Sequence, residues 1–198
     1  VILGDDWSWP HASILGDATV STPAFDRIAR EGALFSHAFT QVPSCTPSRF
    51  SLASGQAPWR LGEGVNLGGS LADDVPVYPD LLAEAGYHTG FARKGASPSD
   101  HDYRGSDPFG RRYSDFAEFL AGREPGQPFC FLYGAGEPHR PYDTGASRSS
   151  QIDLDAIDVP PFLPDDETVR PGLGDSDLRS EQLDRFAGAN VALLEVAE

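Results

Sequence analysis

The chain has 198 residues, 39% hydrophobic and 11% aromatic, which is enough for one sizeable core or part of a larger one and too apolar for a disordered chain. A net charge of −15 and a pI near 4.5 exclude a broad basic groove for nucleic acid or for a polyanionic polysaccharide, so any bound anion must be captured by a local site. No run of about eighteen apolar residues occurs, and no transmembrane helix is expected.

Val1 to Gly4 is an apolar, β-branched run expected to form a buried strand, with Asp5 and Asp6 at its C-terminal end. The run has neither an initiator Met nor a leader pattern, which suggests a chain that opens inside a domain. Thr22 and Pro23 read as N-cap and first helical position of a helix carrying Phe25, Ile28 and Ala29 and ended by Gly32. Ala33 to Thr40 is expected to be a strand. Cys45 to Gly55 reads as a turn and then a helix, with Pro47 in the first turn.

Val65 to Val77 is Gly-rich and loop-like. Tyr78 to Ala85 predicts a short amphipathic helix stopped by Gly86, and His88 to Phe91 a short strand. A polar loop follows from Gly95 to Pro108, then a helix at Phe116 to Leu120 and a second strong strand at Phe129 to Ala135. Asp143 to Gly174 is long, acidic and Pro-rich, and its lack of periodicity predicts a surface-wrapping or substrate-facing loop. Ser180 to Ala197 predicts a helix with Leu183, Phe186, Ala187, Val191 and Leu194 at helical spacing. Strands alternating with helices, without repeats or a flexible linker, give an α/β layered fold, one domain or part of one.

Four places carry residue types suited to chemistry. A helix starting near Pro47 aims its free N–H groups and positive dipole end at Cys45, a good place for an anion such as sulfate. The same place favours a thiolate nucleophile, and a structural Cys in an ordinary turn is the plainest alternative. A disulfide with Cys130 is not expected, because Phe129-Cys130-Phe131 reads as a buried strand in which a cysteine is a small hydrophobe. Asp5-Asp6 at a strand end can hold a hard divalent cation through oxygen, although such a pair alone is commonly a solvated turn.

Lys94 is the sole lysine beside 14 arginines (15 basic residues less one). A compact ammonium and a rigid guanidinium fork are not interchangeable at a site, which argues for anion contact over a surface role. His139, in Glu137-Pro138-His139-Arg140-Pro141-Tyr142 after the second strong strand, is placed for proton transfer near neutral pH. Its alternative is a loop histidine bonded to a carbonyl.

Cys45-Thr46-Pro47-Ser48-Arg49, with Leu52 and Gly55 in register, resembles the signature of the type I sulfatases. Val65-Asn66-Leu67, Tyr78-Pro79-Asp80-Leu81-Leu82, Gly86-Tyr87-His88-Thr89-Gly90, Lys94-Gly95, the His139 segment and Val159-Pro160-Pro161-Phe162-Leu163-Pro164 resemble the heparan N-sulfatase (sulfamidase-like) branch. The resemblance implies an alkaline-phosphatase-like mixed sheet sandwiched by helices, with residues 1–198 as the N-terminal portion of the large catalytic domain. It implies conversion of Cys45 to formylglycine by a formylglycine-generating enzyme, and a bound Ca²⁺ (Mg²⁺ as the alternative) held by Asp5, Asp6 and residue 45. Arg49 steadies the formylglycine, while Lys94 and His139 contact the sulfate and the leaving group. The implied substrate is a sulfated small molecule or sulfated glycan, cleaved at a sulfate ester or N-sulfate.

Two departures accompany it. Many sulfatases carry a His two residues after the equivalent of Lys94, where this chain has Ala96; the sulfamidase-like branch often lacks it too. The family's later strand with an Asp-Asn or Asp-His metal pair, and its smaller C-terminal domain, have no counterpart in these residues. A non-catalytic or incomplete fragment, and a phosphoester or phosphonate monoester hydrolase with the same centre, are therefore the alternative readings.

Overall fold

The computed structural model describes residues 1–98 and 105–196, with side chains as far as 189. Its described residues fall into two compact units that interleave in sequence: Val1–Leu3 with His37–Gly134, and Gly4–Ser36 with Ala135–Glu198. Strands β1 (Ile2–Asp5) and β4 (Phe129–Pro138) each begin in the first unit and end in the second.

In the first unit, β2 (His88–Arg93) lies between β3 (Arg112–Tyr113) and β4 and pairs with both in parallel, Gly90 opposite Phe131 and Phe91 opposite Arg112. Tyr133 N donates to Val1 O at 2.8 Å, and the sheet order is β1-β4-β2-β3. The period-two alternation of side chains places successive β4 residues on opposite faces. Leu132 joins a core with Phe50, Leu61, Leu71, Val77, Phe91 and Phe109. Phe131 turns the other way, its ring 4.6 Å from that of Phe119 and 5.0 Å from that of Phe116, both on helix α4 (Phe116–Ala121). With apolar cover on both faces, β4 reads as one continuous apolar run rather than an alternating one. Each fully buried Phe or Leu contributes about 1.5–3 kcal/mol.

The other two helices of this unit are α2 (Cys45–Ser54), which supplies Phe50 and Ala53 to the core, and α3 (Tyr78–Glu84). Gly55 ends α2 in the left-handed region at φ 66°, its N–H bonded to Ser51 O, the conformation glycine adopts without steric cost.

The second unit is built from α1 (Pro23–Glu31), a 3-10 turn at Ser13–Leu15, and the 28-residue α5 (Val169–Val196). Thr22 stands at the N-cap of α1 but makes no capping bond with its side chain. The cap comes from α5: buried Asp184 accepts from Ala24 N at 3.1 Å and Phe25 N at 2.7 Å. Close approach is set by small residues, since a methyl group at Gly4 would stand 2.9 Å from Leu183 Cδ2 and one at Gly188 3.1 Å from Ala24 Cβ.

Three expectations are corrected. Ala33–Thr40 is not a strand: it has no ladder partner among the described residues, and Leu34, Phe35 and Phe39 are exposed. An apolar run specifies burial only where a neighbour exists to receive it. Helix α5 begins at Val169, eleven residues before Ser180 (180 − 169), so residues 169–174 are helical rather than loop. Its start is fixed by Asp166, whose Oδ1 accepts from Thr168 N and Val169 N, each at 2.8 Å. In α1 the buried residue is Asp26, while Ile28 is 43% exposed. The central part of the polar loop, 99–104, and the side chains of Val191 and Leu194 lie outside the described residues.

Polar hooks, not periodicity, order residues 143–168. Asp175 Oδ2 accepts from Gly145 N and its Oδ1 from Ser147 N, both at 2.8 Å, and the Ser147 hydroxyl donates to Pro171 O at 2.9 Å. Burial opposes ionisation of Asp175, but the bonds from Ser147 and Gly145 outweigh it and hold its pKa below the ordinary value. A depressed carboxyl pKa contributes stability that is present above the unfolded value, near 3.9, and lost as pH falls through the folded value. Amide exchange at Gly145 and Ser147 is therefore expected to accelerate as pH falls below that range after correction for intrinsic exchange, and Asp175→Asn should show the acceleration already at neutral pH.

Candidate active site

Cys45, Arg49 and Lys94 belong to the first unit, and Asp5, Asp6 and His139 to the second. Cys45 is the first residue of α2 rather than a residue ahead of it, as a start near Pro47 implied. Ser44 at the N-cap makes no side-chain capping bond, Pro47 has no N–H, and Ser48 N is bonded to Ser44 O at 3.1 Å. The N–H groups of Cys45 and Thr46 thus stand at the positive end of the helix dipole, in the place an anion would take. Cys45 and Cys130 are not joined to each other.

The four-residue spacing from Cys45 to Arg49 places both on one face of α2. Arg49 is only 3% exposed. Its Nη1 donates to Lys94 O at 3.0 Å and to Gly95 O at 2.8 Å. Buried charge is tolerated because carbonyl dipoles replace water around the guanidinium. The result joins the helix carrying Cys45 to the backbone just beyond β2.

That backbone is fixed from two further directions. Lys94 N donates to Gly134 O at 2.8 Å, and a methyl group at Gly134 would collide with Lys94 O at 1.7 Å. Arg93 adopts a positive φ of 66°, a rare state for a residue with a side chain, and Ala96 N bonds Asp107 Oδ2 at 3.0 Å. Lys94 is itself half-buried. Thr46, fully buried, receives Gly68 N at 3.2 Å and donates to Pro98 O.

In the second unit Asp5 ends β1 with 5% exposure, and Asp6 turns the chain at φ 62°. Two successive carboxylates at a strand end are hard oxygen donors of the kind a Ca²⁺ or Mg²⁺ takes, and the residues present fit such an ion. His139 Nε2 lies 3.6 Å from Asp6 Oδ2, both side chains substantially exposed, and its Nδ1 contacts Arg140 O. At that exposure the pair orients the ring more than it stabilises the fold.

The His139 loop is held by a residue that sequence reasoning passed over. Arg179 on α5 places Nη1 3.8 Å from Glu137 Oε1 and donates from Nη2 to Pro141 O at 3.2 Å. Nothing local distinguishes this arginine from the other thirteen. Gly134 was missed as well, although a glycine inside a strand signals a close backbone approach.

Residues 1–152 match the family model described as Sulfatase. The chain belongs to the sulfatase family. It is 40% identical over 97 residues to an N-acetylgalactosamine-6-O-sulfatase of Bacteroides thetaiotaomicron, covering 47% of this chain and 19% of that protein. It is 35% identical over 99 residues to the N-acetylgalactosamine-6-sulfatase of Canis lupus familiaris, covering 44% and 19%. The matched stretch is about a fifth of the length of these relatives.

Among solved structures, a phosphonate monoester hydrolase from Silicibacter pomeroyi superposes with a TM-score of 0.73 at 15% identity, over 98% of this chain and 58% of that one. A protein solved with its substrate D-glucosamine-2-N,6-O-disulfate gives a TM-score of 0.63 at 22% identity, over 77% and 37%. These likenesses show the alkaline-phosphatase-like fold expected from the motifs.

Arg49→Lys is expected to keep the charge but, with a shorter side chain, to withdraw the nitrogen that reaches both carbonyls. Bonds to a charged group are worth about 1.5–3 kcal/mol, so the unfolding free energy should fall by that order and the urea midpoint with it, with Arg49→Ala lower still. An unchanged midpoint for Arg49→Lys would show that an ammonium serves equally well.

Proposed function

We propose that this chain carries the nucleophile-bearing part of an enzyme that hydrolyses a sulfate ester or N-sulfate on a sugar, with Cys45 converted to formylglycine. The observation supporting it most directly is Cys45 at the uncapped start of α2, with Arg49 one turn on and bonded to the Lys94 and Gly95 carbonyls. Membership of the sulfatase family gives this helix start its chemical meaning.

In this reading Asp5 and Asp6 hold a divalent cation, Ca²⁺ or alternatively Mg²⁺, together with residue 45. When bound, the ion supplies Lewis acidity that stabilises charge on the sulfuryl oxygens. In the same reading the N–H groups of residues 45 and 46 and the Lys94 ammonium supply positive charge to the sulfuryl oxygens. A hydroxyl of the residue-45 aldehyde hydrate gives its proton to solvent as its oxygen bonds to sulfur, while the bond from sulfur to the substrate oxygen or nitrogen breaks. His139 is the proton donor to that leaving atom. The second hydroxyl then loses its proton to solvent, its oxygen forms the carbonyl, and the carbon–oxygen bond to the sulfate breaks. Sulfate leaves and the aldehyde returns, which makes this covalent catalysis in two steps. The N-sulfatase branch suggested by the His139 and Val159–Pro164 segments points to an amino-sugar substrate.

A second reading has an observation of its own, the fold match to a phosphonate monoester hydrolase. Sulfate and phosphonate esters are both tetrahedral oxyanions, and the same donors suit either.

The test is peptide mass spectrometry at residue 45 on protein made with a formylglycine-generating enzyme, paired with turnover of an aryl sulfate and an aryl phosphonate. Replacement of one sulfur and two hydrogens by one oxygen, a preference for the sulfate, and loss of turnover in Cys45→Ala with an unchanged fold are expected. An unmodified, active thiol would overturn the aldehyde mechanism, and a preference for the phosphonate would overturn the sulfate assignment.

A further inference from the structure

His11, Asp17 and Asp177 form a second convergence of ligand-type side chains, and the chemistry above uses none of them. All three belong to the second unit. His11 precedes the 3-10 turn Ser13–Leu15, Asp17 follows it, and Asp177 lies in α5. His11 Nδ1 stands 3.4 Å from Asp17 Oδ2 and 3.4 Å from Asp177 Oδ1. The three ligand atoms lie within 4.8 Å of one another. The two carboxylates are 12% and 4% exposed, while the histidine is 37% exposed and leaves a path inward.

Each group is held in its orientation by a separate contact. Thr19 N and Oγ1 bond Asp17 Oδ1 at 2.9 and 2.7 Å, and the same hydroxyl lies 3.0 Å from Asp177 Oδ2. One oxygen of each carboxylate is thereby taken, and the other is left facing His11. The Trp7 indole N–H donates to His11 O at 2.7 Å and fixes the histidine backbone.

The spacing is that of an ion pair and also that of ligands around a small ion. An N–H···O hydrogen bond lies between about 2.7 and 3.2 Å, and buried His11 Nδ1 makes none. Around a tetrahedral ion with bonds of about 2.0–2.1 Å, neighbouring ligand atoms stand roughly 3.3–3.4 Å apart. The observed separations match the edge of such a tetrahedron. One imidazole and two carboxylates suit zinc and neighbouring first-row divalent ions, whereas Ca²⁺ takes oxygen alone.

We propose that His11, Asp17 and Asp177 form a divalent-cation site of the zinc type, with Thr19 positioning both carboxylates and a fourth position open to water. The ion would link the segment before α1 to α5 and stabilise the folded unit by mass action. A proton is its competitor. The short-range pull of Asp177, against the opposing effect of burial and with the added charge of Asp17, raises the pKa of His11 above its usual value.

The test uses the whole chain, stripped of metal and carrying Asp5→Asn, Asp6→Asn and Cys45→Ala so that the candidate active site cannot report. Zn²⁺ alone is titrated by calorimetry, and Co²⁺ alone by visible absorption. One ion per chain, an intense tetrahedral Co²⁺ spectrum and a raised unfolding temperature are expected. His11→Gln should lower the affinity more than about tenfold and abolish the tetrahedral spectrum, and Thr19→Val should weaken it by about 10–100-fold with all three ligands kept. No binding, a weak octahedral spectrum, or an unchanged spectrum in His11→Gln would overturn the site. The parent spectrum alone decides if a variant does not fold.

Discussion

A guanidinium that water cannot reach must find its solvation within the protein, and Arg49 finds it in two carbonyl oxygens at the end of β2. Such a group tolerates little displacement, because a lost partner leaves a buried charge exposed to a low-dielectric interior. The start of α2 and the backbone at Lys94 are held in register by that requirement. Gly134 completes the arrangement by allowing β4 to approach the Lys94 carbonyl without a side chain in between. Position at residue 45 is therefore a property of a strand, a helix and a turn together.

The overall charge makes this local construction necessary. A chain with net charge −15 repels anions at a distance. In the proposed function, attraction comes from helix N–H groups, from the Lys94 ammonium, and from a cation where one is bound. These act over a few ångströms and are weakly screened when water is excluded. The acidic exterior and an anion-directed interior are compatible because their ranges differ.

Much of the fold could be read from local signals. Pro23 and Pro79 mark helix starts, Gly55 and Gly86 mark stops, and the apolar run at Phe129 is a strand covered on both faces. Of the candidate site residues, Cys45 and Arg49 could be placed together from sequence, because four residues set them on one helix face. What stayed hidden depended on partners far away in sequence. Ala33–Thr40 has strand composition and no strand to pair with among the described residues. Residues 143–168 are ordered by the Asp175 carboxylate and the Arg170 guanidinium, which bonds Leu154 O at 2.9 Å and Ile157 O at 3.1 Å. The true cap of α1 is a residue on another helix, and Arg179 supports the His139 loop from the same helix. No periodicity announces such bonds.

The cap supplied by Asp184 also places a demand on biosynthesis. Its bonds to Ala24 and Phe25 span 160 and 159 residues of chain. At ribosomal speeds of about 5–20 residues per second, roughly 8–32 s separate the emergence of these two ends. Through that interval the short α1 has neither its cap nor the helix it packs against, and a nine-residue helix is marginal alone in water. Closure of so long a loop is entropically costly and slow, so the nascent segment must stay soluble while it waits. The charged residues Asp26, Arg27, Arg30 and Glu31 that α1 carries suit it to that wait.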